Sequence, residues 1–269
     1  MPRLALIPLF LVALAACDDF EGDLKHLTFS TNLRVGLAAW TPAQAVAAGT
    51  PIQARAESIL GRETQPEHPV VRGSVRGGVA RVADDDCEAC VRFVGATGAR
   101  ARVGYSMDDV YDEFRVRFEP ATSFDLLLGD GSSDDLVLVA GKTIPFGVTV
   151  QDARGRALGY DPGQLEVSGT GPVSAWQDEE VLVLVEVDGV PGDQGAVALT
   201  YAGKPLGTRA ITIVSADDVV RNEKICPPKP EACDSFLVAS YTADGRRVLG
   251  ALDTWEGRPV GPWGEVKAR

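Results

Sequence analysis

The chain has 269 residues, of which 45% are hydrophobic, and its 38 acidic and 26 basic side chains give a net charge of −12. This acidic balance argues against nucleic acid as a partner and against attraction to anionic lipid, because both need clustered Lys and Arg. The two histidines, His26 and His68, are too few for most histidine-based hydrolytic mechanisms.

The first 16 residues have the form of an export signal. Arg3 precedes an apolar run from Leu4 to Leu14, shorter than the roughly 20 residues that span a bilayer. Leu14-Ala15-Ala16-Cys17 resembles the lipobox of bacterial lipoproteins, which implies cleavage before Cys17 and attachment of acyl chains such as palmitate to it. Several chains hold a protein firmly to a membrane. An ordinary cleavage site at Ala13-Leu14-Ala15 is the alternative, and it would release a soluble protein.

The segment after Cys17 bears on the compartment. Asp18 and Asp19 follow the lipidated position, and in enteric bacteria an acidic residue there resembles a signal for retention in the inner membrane. The choice between inner and outer membrane stays open. We expect the mature protein in the cell envelope, facing the periplasm or the cell exterior.

Cysteine usage agrees with export. Lipid on Cys17 leaves an even set, Cys87, Cys90, Cys226 and Cys233, and an oxidising compartment then allows two disulfide bonds. We expect pairing within each close pair, although other connectivities stay open, and each short bridge would add only about 2 kcal/mol. The acidic run Asp84-Asp85-Asp86 disfavours a redox role for Cys87 and Cys90, because nearby negative charge raises a thiol pKa. A zinc site built from both pairs is a further alternative.

Past the signal, short runs rich in Val, Ile, Leu, Thr and Phe recur between Gly, Pro and Asp turns, a pattern typical of β-strands. Phe114-Arg115-Val116-Arg117-Phe118 alternates, so one face should be buried and the other wet. Val181 to Val187 is nearly all apolar and predicts a central strand. Strands are predicted at 51–56, 70–75, 79–83, 91–94, 101–105, 114–118, 136–140, 146–151, 181–187, 196–201 and 209–214.

The acidic turn before the predicted strand at 136–140 is a candidate calcium site. Asp130, Ser132, Asp134 and Asp135 offer oxygen ligands at close spacing. They depart from the EF-hand pattern, because Asp135 and Gly141 occupy the places of its Gly and its bidentate Glu. The alternative is a solvated turn.

Two weak internal repeats support tandem β units. Asp152–Leu158 aligns with Thr242–Val248, and Ala48–Ile52 aligns with Ala140–Ile144. Both offsets are about 90 residues, close to the roughly 100 residues of an immunoglobulin-type sandwich.

Residues 139–156 resemble the opening of a bacterial immunoglobulin-like domain, on the segments Val139–Ile144, Phe146–Gln151 and Asp152–Arg156. Ala196–Tyr201 and Ile211–Val214 resemble its close. The resemblance is best over 123–215, weaker over 24–122, and limited to the first strands after Asp217. In the family a Trp often follows the Asp-Gly turn, as Trp255 does here, whereas the middle unit has Leu165. The resemblance implies spacers, stalks and adhesive modules that do no chemistry.

We therefore expect an all-β fold of tandem immunoglobulin-like β-sandwich domains behind a lipoprotein signal peptide, with the last unit incomplete. The expected parts are the cleaved signal 1–16, the lipidated cysteine and linker 17–23, a sandwich over 24–122, a second over 123–216, and a partial third unit or tail over 217–269. The last segment is too short for a complete sandwich. Either it is shortened or it leans on its neighbour.

Motifs for catalysis and cofactor binding are missing from the sequence. There is no His-Glu-x-x-His pair, no Gly-x-Ser-x-Gly elbow and no phosphate-binding Gly-rich loop, so we expect no catalytic residues and no cofactor. Four tryptophans could stack on sugars, although single tryptophans in sandwiches more often pack. They are Trp40, Trp176, Trp255 and Trp263.

The predicted function is that of a membrane-anchored extracytoplasmic lipoprotein with a non-enzymatic structural, adhesive or complex-subunit role. Its expected partners are the membrane, through lipid on Cys17, and an unidentified protein or surface polysaccharide. One alternative is an extracytoplasmic carbohydrate-active enzyme or sugar-binding protein, which needs a concave pocket with convergent polar groups. A second alternative is a calcium-stiffened surface stalk.

Overall fold

The computed structural model describes residues 26–59, 72–82, 90–107, 110–128, 136–178, 182–226 and 234–267. Within these ranges the regular structure is β-strand, apart from two short 3-10 turns at Pro162–Gln164 and Ala216–Asp218. No helix of these ranges has the length and apolar character that crossing a membrane requires. The all-β prediction is confirmed.

Within the described residues, ten strands belong to the first unit. They are β1 His26–Thr31, β2 Arg34–Val35, β3 Ala38–Ala39, β4 Val46–Ala47, β5 Pro51–Ile59, β6 Arg72–Gly77, β7 Val79–Val82, β8 Cys90–Gly95, β9 Arg100–Met107 and β10 Val110–Glu119. One sheet has the order β1-β5-β8-β7 and the other the order β4-β10-β9-β6, while β2 and β3 form a separate hairpin.

The two sheets of the first unit enclose a filled core. Alternation along β10 buries every second side chain from Phe114 through Val116 to Phe118. Phe118 packs edge-on against Phe93 of the opposite sheet, with ring centroids 6.2 Å apart. Gly95 is required here, because a Cβ at this position would lie 2.3 Å from the Phe118 ring.

The second unit has nine strands in the part of the chain that the structure describes. They are β11 Ser123–Leu127, β12 Leu136–Val139, β13 Thr143–Gln151, β14 Ala157–Leu158, β15 Leu165–Thr170, β16 Val173–Gln177, β17 Val183–Val187, β18 Gln194–Tyr201 and β19 Lys204–Val214. One sheet has the order β11-β13-β17-β16, with β14 beside β13, and in the other β15, β18, β19 and β12 are successive neighbours. As predicted from its apolar sequence, β17 is a central strand.

Both units have the strand order of an immunoglobulin-type sandwich. In that fold the first, second, fifth and fourth strands form one sheet, and the third, sixth and seventh form the other. β11, β13, β17 and β16 match the first set, and β15, β18 and β19 match the second. β1, β5, β8 and β7, with β6, β9 and β10, repeat the arrangement in the first unit. The immunoglobulin-like fold therefore follows from strand order in both units.

The sequence repeats correspond to equivalent hydrogen bonds. The Gly49 N–H donates to the carbonyl of Gly95 at 2.9 Å, which joins the turn before β5 to the end of β8. In the same way, the Gly141 N–H donates to the carbonyl of Val187 at 2.8 Å, which joins the turn before β13 to the end of β17. The Asp152 and Thr242 turns also match, because each residue donates its N–H to the carbonyl four residues ahead at 3.0 Å.

Over residues 217–226 and 234–267 the third unit contributes six strands, which are β20 Val219–Ile225, β21 Phe236–Thr242, β22 Arg247–Leu249, β23 Thr254–Trp255, β24 Arg258–Pro259 and β25 Glu265–Val266. β12 pairs in parallel with β19 on one side and with β22 on the other, so a single eight-stranded sheet runs through the second and third units. Of the two alternatives for this segment, the structure thus has it lean on its neighbour.

The first and second units meet at a hydrogen-bonded joint. Arg34 and Tyr160 exchange two backbone hydrogen bonds of 2.9 and 3.0 Å, while Gly159 bonds to Ala45 and Ala47 at 2.8 Å each. Backbone hydrogen bonds of this kind fix the direction of the two segments that they join. The joint is therefore built like a piece of sheet.

Buried side chains complete the joint. The Thr50 and Tyr201 hydroxyls lie 2.5 Å apart, both buried, and the Tyr201 hydroxyl also accepts the N–H of Asp161 at 3.1 Å. Burial raises the pKa of Tyr201 to about 12. The Trp40 ring covers Gly159, where a Cβ would meet it at 2.3 Å.

Candidate functional site

Most residues of the predicted sites lie outside the described ranges. This is the case for Cys17, Cys87 and Cys233, and for the calcium candidates Asp130, Ser132, Asp134 and Asp135. Cys90 and Cys226 are described, and each is disulfide-bonded. Their partners lie outside the described residues, so the pairing stays a prediction. The described residues contain no group of three or more metal-ligand side chains.

The tryptophans do not form a shared platform. Trp40 is buried in the joint, and its indole N–H donates to the Gln44 carbonyl at 3.1 Å. Trp263 donates to the Pro145 carbonyl at 2.5 Å and packs on the core of the second unit. Trp176 lies exposed on β16, and Trp255 lies in the third unit.

A cluster of arginines covers the outer face of the β4-β10-β9-β6 sheet. The side chains that alternate with the core residues of β6, β9 and β10 point away from the core, and five of them are exposed arginines. We call this set the arginine face. It consists of Arg76, Arg100, Arg102, Arg115 and Arg117.

Strand register brings these arginines together. Arg102 is the direct cross-strand partner of Arg76 on one side and of Arg115 on the other, and Arg100 is the partner of Arg117. Neighbouring strands lie about 4.8 Å apart. The face therefore carries one row of three guanidinium groups and a second row of two, in an arrangement where like charges repel.

Few acidic groups of the described residues offset this charge. Arg117 forms an ion pair with Glu119 at 3.1 Å. The side chains of Arg76, Arg100, Arg102 and Arg115 make no hydrogen bond or ion pair within the described ranges.

A second carboxylate, Glu113, lies in the adjoining row of β10. It accepts a hydrogen bond from the Tyr111 hydroxyl at 3.0 Å, and this bond raises the pKa of Tyr111. Tyr111 lies across Gly104, where a Cβ would be 2.6 Å from its hydroxyl oxygen. Since Glu113 and Glu119 carry less charge than the five arginines, the arginine face keeps a net positive charge.

A loop of the joint forms one wall of a groove that runs beside the arginine face. Pro42–Ala45 lies beside β10 and, with the arginines, encloses a groove of about 840 Å³. The loop is held by a bond from the Gln44 N–H to the Thr41 carbonyl at 3.0 Å and by the Trp40 bond to Gln44. Trp40 in turn packs on Phe114 of β10, with ring centroids 6.1 Å apart. The groove therefore has a built wall on one side.

The equivalent sheet face of the second unit carries different side chains. The outward residues of β15, the equivalent of β6, are Glu166, Ser168 and Thr170, and their partners on β18 are Thr200, Ala198 and Ala196. The fold therefore does not require arginine on this face.

Sequence reasoning did not find the arginine face. The net charge of −12 argues against nucleic acid and anionic lipid as partners, but total charge does not report how charge is distributed. One signal was present, because Arg100-Ala101-Arg102-Val103 and Phe114–Phe118 both alternate arginine with apolar residues. Their adjacency, and that of Arg76, depends on strand pairing, which the alternation alone does not specify.

Comparisons with known proteins give distant structural likenesses. No family model and no curated protein matches the chain. A structure of domains 1–6 of the surface layer protein SbsC matches 83% of this chain at 13% identity, with a TM-score of 0.32. The Escherichia coli adhesin FdeC matches 79% at 14% identity, with a TM-score of 0.27, over 68% of its own chain. The I9–I11 tandem of titin matches 71% at 10% identity, with a TM-score of 0.24, over 66% of its own chain.

The chain spans 31% of the length of that surface layer structure. The strand order of this chain itself shows the immunoglobulin-like fold.

Proposed function

We propose that the protein is a lipoprotein tethered outside the cytoplasm by lipid on Cys17, with a non-enzymatic structural, adhesive or complex-subunit role. The observation that carries the structural part is the fixed connection of successive units. A continuous sheet joins the second unit to the third, and paired backbone hydrogen bonds with a buried Thr50–Tyr201 contact join the first to the second.

Such joints suit a protein that holds a surface in a set orientation. Domain interfaces within a chain are often small and mobile, whereas here backbone bonds cross both boundaries, and buried aromatic rings add to the first of them. The sandwiches are filled, with core residues such as Phe93, Phe118, Phe146 and Tyr160 fully buried. A rigid scaffold with an exposed binding face fits this construction.

Two features support a place outside the cytoplasm. Residues 1–17 have the form of a lipoprotein signal. Cys90 and Cys226 are disulfide-bonded, and such bonds persist in oxidising compartments. We propose Cys87–Cys90 and Cys226–Cys233 as the two bridges, and peptide mapping without reductant would identify them.

The anchor is tested by replacing its cysteine. Cys17→Ala should leave the precursor uncut and without acyl chains, and the protein should lose its partition into the detergent phase. Cys87→Ala is the matched control, because it removes a thiol and leaves the lipobox intact. Mass spectrometry of the N-terminal peptide measures both outcomes. Normal processing and membrane association of the Cys17→Ala protein would reject the anchor.

A further inference from the structure

We propose that the arginine face is a binding site for an anionic polysaccharide of the cell envelope, a sugar polymer that carries carboxylate or phosphate groups. This inference rests on the proposed extracytoplasmic placement, which leaves envelope polymers as the main extended polyanions within reach. It names a ligand class for a structural or adhesive role that otherwise has none.

The charge arrangement points to an anion. Arg76, Arg102 and Arg115 are direct neighbours across three strands, and no ion pair within the described ranges offsets them. Like charges directly opposite each other destabilise a sheet. The equivalent strands of the second unit have no such row, so the fold itself does not require it. The row of arginines therefore lowers the stability of the sheet without serving the fold. An anionic ligand that bridges the guanidinium groups would remove the repulsion.

The shape favours an extended polymer over a protein. Protein interfaces are centred on buried aromatic or aliphatic anchors, but among the large exposed hydrophobic side chains of the described residues only Tyr111 lies on β6, β9 or β10. The groove beside Pro42–Ala45 is open and lined in part by arginine side chains. Guanidinium forms bidentate pairs with carboxylate and phosphate, so two rows of arginines match a chain of repeating acidic groups.

The placement disfavours a membrane as the occupant. β1 begins at His26, opposite Ile59, at the end of the unit that is remote from Glu119 and the joint. His26 lies nine residues after Cys17 in the sequence, and β9 ends at the same end of the unit, at Met107. Arg102 lies five residues before Met107 on β9, about 17 Å away. The arginine rows are thus set back from the end of the unit at which the chain leads back to the proposed anchor.

The test measures binding of the full-length protein, in neutral detergent, to polygalacturonate, a soluble sugar polymer with one carboxylate per residue. Arg102→Gln/Arg115→Gln should weaken this binding by about tenfold or more at roughly 0.1 M salt, and binding should fall as salt rises. Arg81→Gln/Arg154→Gln is the matched control, because Arg81 and Arg154 are exposed arginines away from the face. The control changes net charge equally and should bind like the wild type.

Three further probes separate the ligand classes. Dextran, poly-L-glutamate and mixed micelles with phosphatidylglycerol should bind more weakly than polygalacturonate, and tighter binding of any of them would overturn the proposal. Equal loss in the two double variants would also overturn it, since bulk charge would then explain the binding.

The melting temperature distinguishes a ligand site from a structural role. Arg102→Gln/Arg115→Gln should melt at the same temperature as the wild type or higher, because it removes repulsion. A lower melting temperature would assign these arginines to the fold and defeat the proposal. The measurement does not depend on lipid at Cys17, so failure of the anchor would show separately.

Discussion

At the scale of single residues, the turn after β13 depends on one carboxylate. Asp152 is buried, and one of its oxygens accepts the backbone N–H groups of Arg154 and Arg156 at 2.9 and 3.0 Å, while the other pairs with the Arg156 guanidinium at 2.5 Å. The hydrogen bond with Arg156 is the largest cause that lowers the pKa of Asp152, to about 2 from 3.8. Folding therefore favours the ionised carboxylate.

Asp152→Asn should destabilise the protein by about 1–2 kcal/mol near neutral pH, because the charge-assisted bonds are lost. A depressed folded-state pKa contributes stability that is complete above about pH 4 and is lost as pH falls through about 2. The gap between variant and wild type should close over that window in urea denaturation. Arg154→Ala, which removes an exposed side chain, should change little, and a gap of equal size at pH 2 and pH 7 would contradict the argument.

Tyr201→Phe tests the hydroxyl pair in the joint. The substitution leaves the Asp161 N–H without its partner and Thr50 with its bond to the Ala47 carbonyl alone. We expect a loss of about 1–2 kcal/mol, because an unpaired polar group near the buried joint costs more than one in water. Tyr241→Phe is the control, since its hydroxyl makes no hydrogen bond within the described ranges. Similar chemical denaturation midpoints for both variants would refute this role.

At the scale of elements, β12 connects the second and third units. It has a parallel partner on each side, and its Val137 and Val139 pack with Val214 and Val248 in a small cluster between the units. A strand shared in this way gives both units one sheet. The third unit therefore gains stability from its neighbour without a sandwich of its own.

Val248→Ala should cost about 2 kcal/mol, because it opens a cavity in the cluster between the units. Hydrogen exchange should quicken in β12 as well as in β21 and β22, since the strands share one sheet. Val220→Ala is the control on the same unit, where the side chain is 65% exposed, and it should change stability by less than about 0.5 kcal/mol. Faster exchange confined to the third unit would speak against a shared sheet.

Most of the apolar strands could be predicted from the sequence, and several polar ones could not. Each of the eleven runs chosen for Val, Ile and Phe overlaps a strand of the structure, among them β10, β13 and β17. Strands outside these runs include the largely buried β11 and β21, the mostly exposed β20, and β15 and β16, which carry Gly, Ser and Gln. These strands are held by pairing with neighbours, and pairing depends on tertiary contacts beyond the local pattern.

At the scale of the whole molecule, the distribution of charge matters more than its sum. A net charge of −12 coexists with five exposed arginines on one sheet face, because alternation sends every second side chain of β9 and β10 to the same surface. The first unit carries this face, and the joint supplies the wall of its groove. Trp40 therefore links the groove to the joint between the units, because it contacts both Phe114 of β10 and Gly159 of the second unit.

Gly159→Ala should loosen the molecule at this point. The added Cβ would lie 2.3 Å from the Trp40 ring, so the indole must move, and its bond to Gln44 in the groove wall must move with it. We expect a loss of about 1–3 kcal/mol, a larger maximum dimension in small-angle scattering, and weaker polygalacturonate binding. Gly163→Ala is the control, because its Cβ would meet the Asp161 carboxylate at an ordinary 3.5 Å. A scattering profile and stability equal to those of the wild type would mean that Trp40 does not hold the two units together.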